Sequence, residues 1–216
     1  MKKDLLFLVI IVILSVVGFL TFKNFAKEKA KPPMPEELLE NKRIAMIVAF
    51  RDFKDDEYFI PRNILQENGA EIVTVSDKPG TAIGVEGGEA EVDVVLDDLN
   101  NSAIGEYDAV VFIGGPGAIE HLDNEQSYSI IKTAFSKNLV IGAICVSPSI
   151  LAKAGILQGK RATVWSSPSI KSLIKVLQDN GAIYEEKSVV IDGTIITGNG
   201  PQAAELFGED LVRLIK

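Results

Sequence analysis

Only one cysteine and one histidine occur among the 216 residues of this chain. Cys145 has no second thiol with which to close an intrachain disulfide. One thiol and one imidazole also fall short of the four ligands of a structural zinc site. Disulfide-held and metal-held scaffolds are therefore excluded. Positive charge is scarce as well, with 22 Lys and Arg against 30 Asp and Glu. A nucleic-acid surface needs clustered basic side chains, so that class of partner is not expected. The 18 Gly and 9 Pro are scattered without a period, which rules out collagen-like and low-complexity chains. What remains is a length suited to one globular domain with an appendage.

The appendage is at the N-terminus. Leu5 to Phe22 (LLFLVIIVILSVVGFLTF) is uncharged throughout, and as a helix it would extend about 27 Å, close to the roughly 30 Å hydrocarbon core of a bilayer. Residues 1–23 read as a single-pass transmembrane anchor, with the membrane as partner through residues 5–22. A cleaved signal peptide and a buried core helix are the alternatives. Secretory apolar regions usually run about 7–15 residues and end at a small-x-small site, whereas Lys23-Asn24-Phe25-Ala26-Lys27 offers no such pattern. Lys2 and Lys3 precede the segment, offset by Asp4, and Lys23, Lys27, Lys29 and Lys31 come after it, offset by Glu28. The balance leans by about one charge towards a cytoplasmic side for the C-terminal domain. Residues 24–42, with three prolines and alternating charge, read as an extended tether. Residues 43–216 then form an acidic domain of net charge −10.

Within that domain apolar runs alternate with helical spacing. Arg43 to Phe50 (RIAMIVAF) is a strand buried on both faces, as in a parallel sheet. Glu57 to Asn68 is a helix closed by Gly69, and Glu71 to Val75 is the next strand, completing a βαβ unit. The pattern continues with strands at 108–113 and 139–144, helices at 124–136 and 147–154, a short strand at 162–164 and a helix at 168–180. Residues 189–191 and 194–197 form a hairpin across Asp192-Gly193, and a closing helix spans about 202–215. Residues 81–85 and 92–96 read as an edge hairpin around Gly87-Gly88. The fold class is α/β, an open and mostly parallel sheet with helices on both faces. Ligands in such sheets collect outside the carboxyl ends of the strands. Phe50–Glu57, Gly114–Gly117, Cys145–Pro148 and Gly198–Pro201 lie there.

Cys145 stands between the strand Leu139–Ile144 and a helix with Pro148 in its first turn. That arrangement is a nucleophile elbow, and helix N-termini favour a thiolate. The alternative is a small buried hydrophobe. Gly114-Gly115-Pro116-Gly117 ends the neighbouring strand. It can bring N–H groups to an oxyanion or serve as a tight turn needing positive φ. It matches neither a dinucleotide-binding nor a phosphate-loop motif, and no cofactor is expected.

AICVSP after an apolar strand, FIGGPG ending the one before it, and FKDDEYFIP after the first strand together resemble the ThiJ/PfpI family. That group contains the PfpI-type intracellular proteases and the Parkinson-disease protein deglycase, and is related to class I glutamine amidotransferases. The likeness covers about residues 43–216. It implies a flavodoxin-like three-layer α/β/α sandwich and homodimers or larger assemblies. It also implies Cys145 as the reactive thiol, Glu57 as the buried carboxyl that contacts it, and the Gly115 and Val146 amides as oxyanion donors. Gly114, Trp165 and Asn199 are candidates to shape the pocket. A carboxyl beside a thiol should keep its proton and donate it to sulfur. Taken by residue type alone, without the resemblance, Glu57 reads as one more solvated acid in the run Asp52, Asp55, Asp56, Glu57.

The chain departs from the family at its histidines. Val146 and Ser147 stand where protease-like members carry His-Gly, and Thr163–Pro168 has no imidazole where deglycase-like members place one. His121 lies past Gly117 on the same sheet edge but reads as a turn residue. Three functions are compatible with this pattern. The first is glyoxalase- or deglycase-type chemistry on small reactive carbonyls. The second is a non-catalytic oxidation sensor or binding module. The third is a cysteine peptidase, weakened by the missing proton shuttle.

Overall fold

The computed structural model describes residues 38–99 and 103–216. The expected anchor and most of the tether fall on residues 1–37, outside the described residues. Among the described residues no helix is long and apolar enough to cross a membrane.

Seven strands form the main sheet: β1 (Arg43–Val48), β3 (Glu71–Ser76), β6 (Val94–Val95), β7 (Ala109–Phe112), β8 (Val140–Ile144), β11 (Val189–Asp192) and β12 (Ile195–Gly198). Their order is β11-β12-β8-β7-β1-β3-β6. Only the β11–β12 pair is antiparallel. The near-continuous apolar runs of β1, β7 and β8 are explained by helices on both faces. Alternate residues of one strand enter two separate cores. Ala45, Ile47, Val110 and Phe112 pack with Ile130 and Ile131 of α2 (Glu125–Ser136) and Ile150 and Leu151 of α3 (Pro148–Lys153). Ile44, Met46, Val48, Val111 and Ile113 pack with Tyr58 and Leu65 of α1 (Asp55–Glu67) and Phe207 and Leu211 of α5 (Ala204–Ile215). The α1 and α5 backbones approach closely at Gly208, where a Cβ would stand 3.0 Å from the Pro61 Cα. The result is the flavodoxin-like α/β sandwich with a mostly parallel sheet.

Two local readings change. The segment after β3 does not add one edge hairpin. β4 (Thr81–Gly84) pairs with β5 (Glu89–Glu91) across the Gly87-Gly88 turn and joins β2 (Arg51–Phe53) in a separate three-stranded sheet. Only Val94–Val95 then reaches the main sheet, beside β3. The helix expected from 168 begins later, as α4 (Ser172–Asp179), after an exposed loop. Two short strands, β9 (Arg161–Ala162) and β10 (Ile183–Tyr184), pair beside it.

The chain leaves β1 for β3 on one side and returns to β7 on the other. The order therefore reverses between β1 and β7, which opens a crevice beyond their carboxyl ends.

Candidate active site

The walls of that crevice are the backbone after β1 and the Gly114–Gly117 loop after β7. They approach so closely that side chains are excluded. A Cβ on Gly115 would lie 2.4 Å from the Asp52 carbonyl oxygen and 2.7 Å from the Lys54 nitrogen, and one on Gly117 would lie 1.8 Å from the Arg51 oxygen. Gly115 also has φ +106°, a conformation that L side chains rarely adopt. The Lys54 N–H donates to the Gly114 carbonyl at 3.0 Å, which pins the start of α1 to this loop.

Cys145 stands one strand further along. Its φ of +64° is left-handed, a strained position for a residue with a Cβ. Three hydrogen bonds hold the elbow. Its N–H donates to Gly198 at 2.9 Å, its carbonyl accepts from Trp165 N–H at 2.8 Å, and the Ser147 hydroxyl donates to the Ile113 carbonyl at 2.9 Å. The thiol is on the α1 side of the sheet, and Glu57, fully buried in the first turn of α1, faces it. Gly114 lies between them. A Cβ there would stand 2.5 Å from the Cys145 Cβ and 2.6 Å from Glu57 Oε2.

Burial pushes the Glu57 carboxyl up to about 7, against the pull of the Cys145 thiol, the Gly114 N–H and the Lys54 charge. Neither carboxyl oxygen has a hydrogen bond of good geometry, so desolvation dominates. Burial likewise pushes the Cys145 thiol up, and the Glu57 carboxylate adds to this by charge and hydrogen bonding. The N–H groups of Gly115 and Val146 pull it the other way. The expected stabilised thiolate is thus corrected. Helix α3 has six residues and starts three beyond the sulfur, and its dipole does not outweigh burial and a neighbouring acid. Together the pair favours retaining one proton.

The structure brings Cys145, Glu57, Gly114, Gly115 and Val146 together. Trp165 is half-buried in the same core cluster as Cys145 and Val146, and its Cδ1 sits 3.3 Å from where a Gly200 Cβ would be. Asn199 comes directly after β12, and its N–H donates to the Ser188 carbonyl at 2.9 Å. His121 lies on a π-helical turn (Ala118–Leu122), with its Nε2 4.0 Å from Glu120 Oε1. Among the described residues no cluster of His, Cys, Asp or Glu could hold a metal ion.

Sequence reasoning missed Asp55. It is buried, and its carboxylate accepts from the Glu86 N–H at 2.9 Å and the Gly88 N–H at 2.7 Å. Its sign in the sequence is the pair Gly84 and Gly88, where a Cβ would meet that carboxylate at 2.4 Å.

A mostly parallel sheet of this order, with a thiol on a strand-to-helix turn beside its switch point, defines a flavodoxin-like α/β protein with a cysteine elbow. The chain belongs to the DJ-1/PfpI family, whose sequence model matches residues 42–214. An uncharacterized protein of Methanocaldococcus jannaschii is 35% identical over 209 residues, 96% of each chain. A deglycase of Pyrococcus abyssi is 31% identical over 171 residues, covering 79% of this chain and 98% of its own. Among solved structures, a ThiJ/PfpI domain protein from Brachyspira murdochii superposes with a TM-score of 0.74 at 27% identity, over 82% of this chain and 96% of that one.

Proposed function

We propose that the chain acts on small reactive carbonyls, in chemistry of glyoxalase or deglycase type, with Cys145 as nucleophile and Glu57 as proton carrier. The observation that carries this reading is the buried Glu57–Cys145 pair with the Gly115 and Val146 N–H groups around the sulfur. On addition to an aldehyde, the S–C bond forms, the carbonyl π bond breaks, and the thiol proton passes by way of Glu57 to the new oxygen. The product is a hemithioacetal, and the two amides steady the developing oxyanion. With a 1,2-dicarbonyl, Glu57 then moves the C–H proton of the former aldehyde carbon to the neighbouring carbon by way of an enediol, while the proton of the new hydroxyl passes to the neighbouring oxygen, so that a thioester forms beside a hydroxyl. Water hydrolyses the resulting thioester to a hydroxy acid and frees the thiol. A carboxyl near 7 can both take and give that proton near neutral pH.

This route needs no imidazole, whereas peptide hydrolysis ordinarily does. His121 is turned to Glu120, and the Ser147 hydroxyl is engaged with Ile113. The name of the Pyrococcus abyssi relative supports the carbonyl reading. Conversion of methylglyoxal to lactate by the wild type, lost in Cys145→Ala and in Glu57→Gln, is the expected result. Activity that persists in Cys145→Ala protein would sink it.

The second reading is an oxidation sensor, favoured by the Glu57 oxygens that lack a hydrogen bond of good geometry. A protonated Glu57 would donate to a Cys145 sulfinate. Mass spectrometry after mild peroxide tests it, and an unmodified thiol would dismiss it.

On the grounds of the uncharged segment Leu5–Phe22, we also propose a single-pass anchor with the domain on the cytoplasmic side. The Methanocaldococcus jannaschii relative aligns with 96% of this chain, whereas the deglycase aligns with 79%. Retention of the full chain in the membrane pellet after alkaline carbonate washing is expected, and release to the supernatant would refute the anchor. A homo-oligomer is proposed from family membership, to be read by light scattering of the detergent-solubilised chain.

A further inference from the structure

We propose that Asp55 is a positioning residue for Glu57: the β4–β5 hairpin grips the Asp55 carboxylate and so fixes the first turn of α1 against the thiol. The inference rests on the Glu57–Cys145 pair being the working site. Asp55 is two residues before Glu57, in the same turn. It is 7% exposed, and its carboxylate is held by two backbone N–H groups of the hairpin, those of Glu86 and Gly88. The hairpin is shaped around it. A Cβ on Gly84 would stand 2.4 Å from Asp55 Oδ2, and one on Gly88 would stand 2.4 Å from Oδ1 and 2.6 Å from the Phe59 ring. Neither position has room for any other residue while the carboxylate stays in place.

The same turn is tied twice more. Lys54 Nζ makes an ion pair with Glu86, and the Lys54 N–H donates to the Gly114 carbonyl, beside the sulfur. Hairpin, helix start and Gly114 loop therefore form one connected frame. Glu57 has no hydrogen bond of good geometry to hold its own carboxyl, so its position depends on this backbone frame. An amide at position 55 would retain one acceptor and turn an NH₂ group towards a backbone donor, breaking half of the grip without adding bulk.

The test is the pH profile of Cys145 alkylation by iodoacetamide in the full chain. It compares wild type, Asp55→Asn, Gly84→Ala and Glu57→Gln, with circular dichroism to confirm folding. Glu57 is faced by Cys145, Lys54 and Asp56. The wild-type profile should carry an inflection near 7 that Glu57→Gln abolishes. Asp55→Asn and Gly84→Ala, which disturb the frame from opposite sides, should each move that inflection down by about one pH unit as water reaches the carboxyl. An inflection that stays in place in both folded variants overturns the proposal. A wild-type profile identical to that of Glu57→Gln overturns the pair itself, and the positioning role with it. Lowered thermal stability with an unmoved inflection is what a purely structural Asp55 would give, and it counts against the proposal.

Discussion

Gly114 lies so close to Cys145 that a Cβ on the glycine would stand 2.5 Å from the Cβ of the cysteine. The next obstacle is Glu57 Oε2, at 2.6 Å, and the third is the Ile144 carbonyl oxygen, at 2.9 Å. None of the three is the free end of a flexible surface chain. Gly114→Ala should therefore displace the Glu57 carboxyl or the elbow itself. We expect a stability loss of about 1–3 kcal/mol, the usual penalty for overpacking. Urea denaturation measures the loss, and a Cys145 alkylation profile without its lower inflection would show which group has moved. Full stability together with an unchanged profile would mean that the carboxyl and the thiol are not pressed together across this glycine.

Stability should fall as pH rises through the range of Glu57. Its pKa is raised from 4.5 to about 7 in the fold, mainly by burial. Between those values the native state keeps a proton that the unfolded chain gives up. The stabilisation is therefore complete below about 4.5 and is lost by the time pH passes about 7. At one pKa unit per about 1.4 kcal/mol, the effect is on the order of 3 kcal/mol. Cys145, also raised by burial and by the Glu57 charge, adds a loss of the same sign above the ordinary thiol range. Asp55 works in the opposite sense. Burial pushes its carboxyl up, but the hydrogen bonds from the Glu86, Gly88 and Asp55 backbone and the Glu86 side chain together outweigh it and hold it below 3.8, so its contribution is lost as pH falls through the acid range. Urea midpoints from pH 5 to 8 should decline in wild type and stay nearly level in Glu57→Gln; parallel curves would refute the assignment.

The strands were legible because the sheet is covered on both sides. Arg43–Val48 and Ala109–Phe112 are buried almost throughout, and burial on two faces writes an unbroken apolar run. Arg51–Phe53 was not legible, since two of its three residues are exposed and it joins a sheet whose other strands lie thirty residues further on. In the loop 168–171, Pro168 can begin a helix and Ile170 stands at helical spacing from Leu173 and Ile174, but Ile170 is exposed with no core to pack on, so spacing alone extended α4 too far. Cys145 could be found from its place after a buried run. Glu57 could not be told from Asp52, Asp55 and Asp56 by residue type, because only the turn of α1 decides which of these acids points inward. The run Gly114-Gly115-Pro116-Gly117 was visible, while its main reason, contact with the backbone from Arg51 to Lys54, is a tertiary fact.

Tyr58 separates the stability of α1 from the chemistry at its first turn. Its hydroxyl and Thr74 Oγ1 share a buried 2.7 Å hydrogen bond between helix and β3, and its ring packs edge-on against Phe53 and Phe59. Tyr58→Phe keeps the ring contacts and leaves the Thr74 hydroxyl without that partner. A loss of about 1–2 kcal/mol is expected, with the inflection of Cys145 alkylation unmoved. Thermal melting and the alkylation profile of the same preparation test both halves. A shifted inflection would mean that any loosening of α1 disturbs Glu57, and the Asp55 grip would lose its special place.

Val146 offers a way to ask what the missing imidazole withholds. Its N–H faces the sulfur, and its half-buried side chain packs against both cores. In Val146→His the new ring would sit on the residue next to the thiol. An imidazolium there favours the thiolate, against the burial and carboxylate charge that now push the thiol up. A lowering by one pKa unit multiplies the thiolate present at neutral pH about tenfold, so alkylation at pH 7 should rise by about that factor. Ser147 is left in place so that its hydrogen bond to Ile113 still braces the elbow. Should the variant fold normally and react no faster than wild type, a side chain at 146 does not reach the sulfur, and the low thiolate population would be set by Glu57 and burial alone. Should it react faster and also begin to cleave an unfolded protein substrate, the absent histidine would be what separates this site from a peptidase.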